Sequence, residues 1–458
     1  MLDPIKTITE YTAFPSVSTD PAYADGMTGA RNYIAGQLET LGFEIEIIET
    51  PKHPVILAER GLDHEDWPHI MIYSHYDVQP ADPFDLWRSD PFKAEVRGDR
   101  LFGRGSADNK GPTVVQLCAL AQALEEQPDL PLRITWLIEG EEEIGSPSIP
   151  EFLKKYADRL SKADFIVLSD TGCPNPDQPA ITTGLRGMVP LEVFLSGPSH
   201  DLHSGISGGA VMNPLRALSA VCASLHNDDG TVNVPGFYDA VVDIQDWERG
   251  ELLKLPTSEE QLRETLGVPA FDCPPGLNPF EATRVAPTLE FNGMGGGYMG
   301  EGEKTIIPSK AFAKITCRLV PDQEPKTIQK LVEAAIRERC PESVNVEVAL
   351  GAGAGPYMVT PPGKPNTPAD QSPVLNKAFS IVDSAMEEVW GVAPIHLREG
   401  GSVPIIKLLK EATGCDSLMM GLFTAEDRLH SPNESFHLKI MERGIQTYKR
   451  LFTELARS

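Results

Sequence analysis

Five short segments of the chain carry side chains able to hold a metal or move a proton. The first is Ser74-His75-Tyr76-Asp77-Val78-Gln79-Pro80, after the apolar run His69–Ser74. Residues i and i+2 of an extended chain point to the same side. Asp77 can therefore approach the His75 imidazole and set its orientation and basicity, as partners of metal-ligating histidines do. A histidine that merely caps a strand end fits the same spacing. The second segment, GRGSADNKGP (residues 103–112), has glycines that let the backbone turn sharply and bring Asp108 inward. One such carboxylate can bridge two ions. A phosphate-cradling loop is the rival, but GxxxxGK[ST] is absent and an inward acid repels phosphate. The third, EGEEEIGS (residues 139–146), follows the strand-like ITWLI. Adjacent acids commonly form a solvated face. Hemmed by glycines beyond a buried strand, they can instead divide, one ligating while its neighbour takes a proton from water. Asp170 in Ser169-Asp170 and His430 in His430-Ser431-Pro432-Asn433-Glu434 are weak signals alone. Together the segments supply two histidines and several carboxylates, a ligand set suited to Zn²⁺ or Mn²⁺.

These segments need a scaffold, and hydrophobic patterning supplies one. Thr28–Leu41 reads as a helix ended by Gly42; strands are expected at Phe43–Ile48, Pro54–Glu59 and His69–Ser74. Gly111–Glu125 and Pro147–Tyr156 read as helices, Leu132–Ile138 and Phe165–Leu168 as buried strands. That alternation predicts an α/β layer structure with a partly parallel sheet, whose sites lie beyond strand ends. After Gly187 the style changes. Strands at Leu191–Leu195, Thr288–Asn292, Ala311–Leu319 and Val344–Leu350 accompany helices at Pro214–Leu225 and Pro325–Arg337, an α+β unit. Val232–Ala282, rich in Pro, Asp and Glu, is expected to be irregular, and Gly351–Asp370 to be a connection. Helices at Pro373–Val389, Ser402–Ala412 and His437–Leu455 resume the first style. Three parts follow: catalytic residues 1–187, an insert at 188–359, and a return at 360–458.

At 458 residues the chain is too long for one ordinary core. Sixty-six acids against 40 bases give a formal charge of −26, which repels nucleic acid and anionic membranes. No stretch approaches the roughly 20 apolar residues of a membrane helix. The opening MLDPIKTITEYTAF lacks the pattern of a signal peptide, so a cytoplasmic location is expected. Seven scattered cysteines without a CxxC pair predict reduced thiols rather than a disulfide framework.

HYDVQP, WRSDPF, GRGSADNKGP, EGEEEIGS, GLRG, DLHSG, KTIIP, REGGS and HSPNE run in order through nearly the whole chain. They resemble the two-metal aminopeptidase-like family of carnosinase, the cytosolic nonspecific dipeptidase, carboxypeptidase G, aminoacylase and succinyl-diaminopimelate desuccinylase, most closely its dipeptidase branch. The resemblance implies a phosphorylase/hydrolase-like mixed-sheet catalytic domain with an inserted ferredoxin-like lid and dimerisation domain. It implies that His75 and Asp170 hold one ion, Glu143 and His430 the other, and that Asp108 bridges them. Zn²⁺ is the expected metal, with Mn²⁺ the alternative. Glu142 would be the general base of hydrolysis by a metal-bridged hydroxide, and Asp77 the partner of His75. His203, in the lid motif Asp201-Leu202-His203-Ser204-Gly205, would reach another subunit's site and stabilise the oxyanion, so a homodimer is implied. Thr305, Arg318 and Ser402 would hold the substrate; the fork of Arg318 suits a terminal carboxylate. Without the resemblance, an ion pair with the acidic surface is the plainer role for Arg318.

Departures accompany these matches. Asn109 stands where many relatives have a second acid. Arg428 and Leu429 precede His430, where the dipeptidase branch has small residues. Gly355–Thr360 lacks the His-rich stretch of animal carnosinases, so carnosine specificity is not implied. The expected activity is a metal-dependent dipeptidase acting on dipeptides or similar short amides. N-acyl-amino-acid deacylase or desuccinylase activity is the alternative on the same scaffold. A non-catalytic metal-binding protein is disfavoured because no catalytic residue is lost.

Overall fold

In a computed structural model that describes residues 2–401 and 403–457, the apolar runs of the first and last thirds assemble one nine-stranded sheet. Its order is Glu44–Ile48, Val55–Arg60, Arg133–Glu139, His69–His75, Phe165–Leu168, Ser417–Met420, Ala180–Leu185 and Tyr357–Met358, with Ile395–Glu399 beside Ala180–Leu185. The four strands from Arg133–Glu139 to Ser417–Met420 are mutually parallel, and the next strand out on either side is antiparallel. His69–His75 is buried along its whole length, which explains a continuous apolar run instead of alternation. Helix Lys110–Glu126 is likewise buried on nearly every side, because it packs against Pro4–Thr12 and Leu438–Leu455. No helix among the described residues is long and apolar enough to cross a membrane.

A second sheet of four antiparallel strands has the order Thr288–Gly296, Lys310–Leu319, Gly187–Ser196, Asn345–Leu350. Along Lys310–Leu319, Ala311, Ala313, Ile315, Cys317 and Leu319 are buried, and the residues between them face the other way. Helices Pro214–Ser224 and Pro325–Arg339 cover the buried face and close a separate core. All seven cysteines are free thiols.

The expectation of irregular structure at Val232–Ala282 is corrected by three short helices, Asp246–Leu252, Glu259–Leu266 and Pro279–Val285, the last running just past that stretch. Helices of seven or eight residues span too few turns to show a period, and caps hold them instead. Ser258 with Gln261, and Asn278 with Glu281, form capping boxes. The segment is also fastened to the first sheet. The Arg398 guanidinium donates to both oxygens of Glu248, at 2.6 and 2.9 Å, with both side chains buried. Glu251 accepts the backbone N–H of His396, and Leu252 and Val285 join the first core.

Candidate metal site and active site

Parallel strands end side by side at the site. His75 closes His69–His75 with Glu139 opposite it on one neighbour, and Phe165–Leu168 on the other side runs out into Ser169-Asp170. His75 and Asp77 are both fully buried; the ring Nδ1 lies 3.3 Å from Asp77 Oδ1 and 3.1 Å from the Asp77 carbonyl. The Asp77 carboxylate also accepts the backbone N–H groups of Glu142 (3.3 Å) and Glu143 (3.1 Å). It thereby couples the histidine's orientation to the position of the acidic loop.

Nε2 of His75 faces Asp108 Oδ1 at 3.2 Å and Asp170 Oδ2 at 3.8 Å. The other oxygen of Asp108 lies 2.9 Å from Nε2 of His430, itself 3.3 Å from Glu143 Oε2. Two ligand groups result, His75–Asp108–Asp170 and Asp108–Glu143–His430, within each of which the donor atoms lie inside 4.8 Å of one another. Asp108 is the shared member. Asn109 hydrogen-bonds Asp170 and so touches the cluster.

The four acids of residues 139–143 separate by environment. Glu139 accepts from the Tyr73 and Ser146 hydroxyls, both at 2.8 Å. Glu141 accepts from the backbones of His53 and Ser148 and from the Thr50 hydroxyl. Both are scaffold. Glu143 is held by Gln79, whose Nε2 donates at 2.7 Å and whose backbone N–H donates at 3.2 Å. Glu142 is half-buried and feels the charges of His75, Asp170 and Asp108.

Sequence reasoning gave no role to Gln79 or Glu434. Glu434 is fully buried and accepts from the backbones of Gly105 (2.9 Å), Ala107 (2.9 Å) and Asp108 (3.1 Å) and from the Arg104 guanidinium (2.5 Å). Its backbone is brought there by pairing of Ser435–His437 with Arg100–Phe102. Membership of the HSPNE motif was the available signal. Changing Glu434→Gln is expected to destabilise the protein by about 3–5 kcal/mol, because it strands the buried Arg104 charge. A urea unfolding midpoint within error of the parent would contradict that.

The donor set fits divalent cations. Two imidazoles face five carboxylates, those of Asp77, Asp108, Glu142, Glu143 and Asp170, in a confined space. Burial, reinforced by Asp108, drives the Asp170 carboxyl up to about 6. Burial lifts Glu142 and Glu143 well above the ordinary carboxylate range, whereas Asp108 lies below it because both imidazoles hydrogen-bond to it against the cost of burial. The folded metal-free protein therefore holds protons that an unfolded chain releases above about pH 4. Its stability falls as pH rises from there through the folded value near 6 for Asp170. Cations displace those protons. Calorimetric Zn²⁺ titrations at pH 6, in two buffers of different ionisation enthalpy, should show release of about one proton or more per chain. Zero release would contradict this.

A cavity of about 1600 Å³ adjoins His430, with Leu429 and Ser431 in its wall. Arg318 and Thr288, cross-strand partners on the second sheet, form another wall, and Phe280 and Thr283 of the inserted helices a third. Arg318 is thus at the cavity. His203 and Thr305 are exposed on the second unit: the backbone of His203 pairs with Ile306, its Nδ1 accepts from Gly205, and the Thr305 carbonyl accepts from Ser204. No contact among the described residues joins either to the ligand groups. Ser402 lies outside the described residues.

With this geometry in view, residues 71–454 match peptidase family M20/M25/M40. The chain belongs to that family and is a metallopeptidase. It is 29% identical over 459 residues to the Cys-Gly metallodipeptidase dug1 of Schizosaccharomyces pombe, covering 97% of this chain and 94% of that one. The Beta-Ala-His dipeptidase of Homo sapiens is also 29% identical, over 99% of this chain and 90% of its own. Among solved structures, the M20 family metallo-carboxypeptidase Sso-CP2 of Sulfolobus solfataricus superposes with a TM-score of 0.85 at 28% identity, covering both chains fully.

Proposed function

We propose that the protein is a dipeptidase whose two divalent ions, Zn²⁺ before Mn²⁺, are held by His75 and Asp170 on one side and Glu143 and His430 on the other, with Asp108 between. The observation that carries this reading is the division of Asp108, one oxygen toward each histidine, with a cavity whose wall includes Leu429 and Ser431 on either side of His430. When bound, such ions lower the pKa of water and polarise a scissile carbonyl. Glu142, next to this pair, takes the proton from the attacking water and returns it to the leaving amine. Asp77 keeps His75 oriented throughout. Arg318 holds the terminal carboxylate, Ser402 adds a contact, and Thr305, exposed beside His203, would reach the substrate of another copy. The names of the relatives, a Cys-Gly and a Beta-Ala-His dipeptidase, support dipeptides as substrates.

His203 belongs to the same reading as a donor to the oxyanion, supplied by the second unit of another copy. Its exposure, and its lack of contact with the ligand groups of its own chain, support use in trans and a homodimer. The division at residues 1–187, 188–359 and 360–458 is supported by the two separate cores in its broad outline, although Leu252, Val285 and Tyr357 of the middle part pack into the first core; a cytoplasmic location belongs to the same reading. The test is metal analysis of the purified protein with turnover of a dipeptide panel against N-acyl amino acids. Dipeptide turnover dependent on about two ions per chain is expected; exclusive turnover of acyl amino acids would replace this reading with the deacylase one.

A further inference from the structure

The motif WRSDPF (residues 87–92) lies outside both ligand groups. It follows an exposed turn, Phe84–Leu86, and Leu86 and Arg88 stand in the cavity wall. Two adjacent residues of the His430 loop grip this stretch. The Asn433 side-chain amide accepts the backbone N–H of Arg88 (2.9 Å) and donates to the carbonyl of Leu86 (2.8 Å). It thereby bonds the backbone on both sides of Trp87, as the peptide of a neighbouring strand would. Glu434 pairs with Arg104, whose guanidinium lies 5.5 Å from the centre of the Trp87 ring. Among the described residues, no hydrogen bond besides those of Asn433 ties residues 84–88 to a distant part of the chain.

The gripping loop has an unusual backbone. Arg428, His430 and Asn433 have φ of 56°, 59° and 64°. Such left-handed values are uncommon outside glycine and persist where the surroundings impose them. Two buried carboxylates anchor the ends of the run: Asp427, which pairs with Arg100 and accepts the Thr424 N–H, and Glu434. Between these anchors the His430 ring is half-exposed, so packing does little to fix it. We infer that Asn433 is a positioning residue: by gripping the backbone around Trp87 it fixes the left-handed loop, and with it the reach of His430 to Asp108 and Glu143. One amide then sets both the cavity wall at Leu86 and Arg88 and the second ligand group. The inference rests on the two-metal reading and deepens it.

The experiment uses Asn433→Gly and Asn433→Ala in the full chain and reads Zn²⁺ affinity by chelator competition. Both variants remove the grip, but only glycine adopts the left-handed backbone freely. Both should weaken one ion by about 10- to 100-fold, the range for a lost outer-shell partner, and leave the other at the parent's affinity. A glycine variant that binds both ions as the parent does would overturn the inference, because backbone conformation alone would then suffice. Equal weakening of both ions would also overturn it, reducing Asn433 to a general structural part. A parent that holds fewer than two ions would sink the two-metal reading separately. Hydrogen–deuterium exchange of the metal-free chain then decides the inference. In both variants exchange should quicken at residues 86–88 and 428–431 together; unchanged exchange at 428–431 would overturn it.

Discussion

Glu142→Gln is expected to lower kcat for dipeptides by about 10²- to 10⁴-fold, the range for a lost general base, while the protein keeps its metal. The amide is isosteric but cannot accept the proton that the attacking water must lose. Retention of metal follows from the geometry, because Glu142 belongs to neither ligand group. The substitution also leaves intact the backbone N–H that Glu142 donates to Asp77. The variant's metal content and its kcat, measured on the same preparation, check this. Turnover within about threefold of the parent would remove Glu142 from the proton-transfer role.

Asp108→Asn should act on the metal itself. Asp108 alone belongs to both ligand groups, and its oxygens face separate imidazoles at 3.2 and 2.9 Å. An amide presents one oxygen and one N–H₂, so at least one imidazole loses its shared ligand. Affinity for one of two ions should fall by more than the roughly 10- to 100-fold typical of a lost outer-shell partner. Chelator competition followed by elemental analysis reads this directly. Two ions held at the parent's affinity would show that Asp108 does not bridge.

The ligand groups were legible in the sequence because their segments sit where physical rules concentrate signal. His75 and Asp170 follow continuous apolar runs, and a strand buried on both faces leaves that mark. Asp108 stands in a glycine-rich turn before a helix. Three other strands left no readable mark: Ala180–Leu185, Ile395–Glu399 and Ser417–Met420 are short, and their residues mix apolar with polar ones. They pair because the tertiary structure brings them together. The helices within Val232–Ala282 were missed for a related reason, since their partners Arg398 and His396 lie more than a hundred residues away. Glu434 shows the same limit at the site: its four donors come from Arg104, Gly105, Ala107 and Asp108, hundreds of positions earlier. Local pattern reports which residues can do chemistry. It does not report what holds them still.

Because the buried Arg398–Glu248 pair fastens the inserted helices to the first sheet, Arg284 shares a framework with the metal ligands, whereas Arg318 stands on the second sheet. The gap between these two guanidiniums is thus spanned by two separately built cores. A shift of one core against the other would therefore change the spacing of these guanidiniums while leaving Arg284 fixed relative to the ligands.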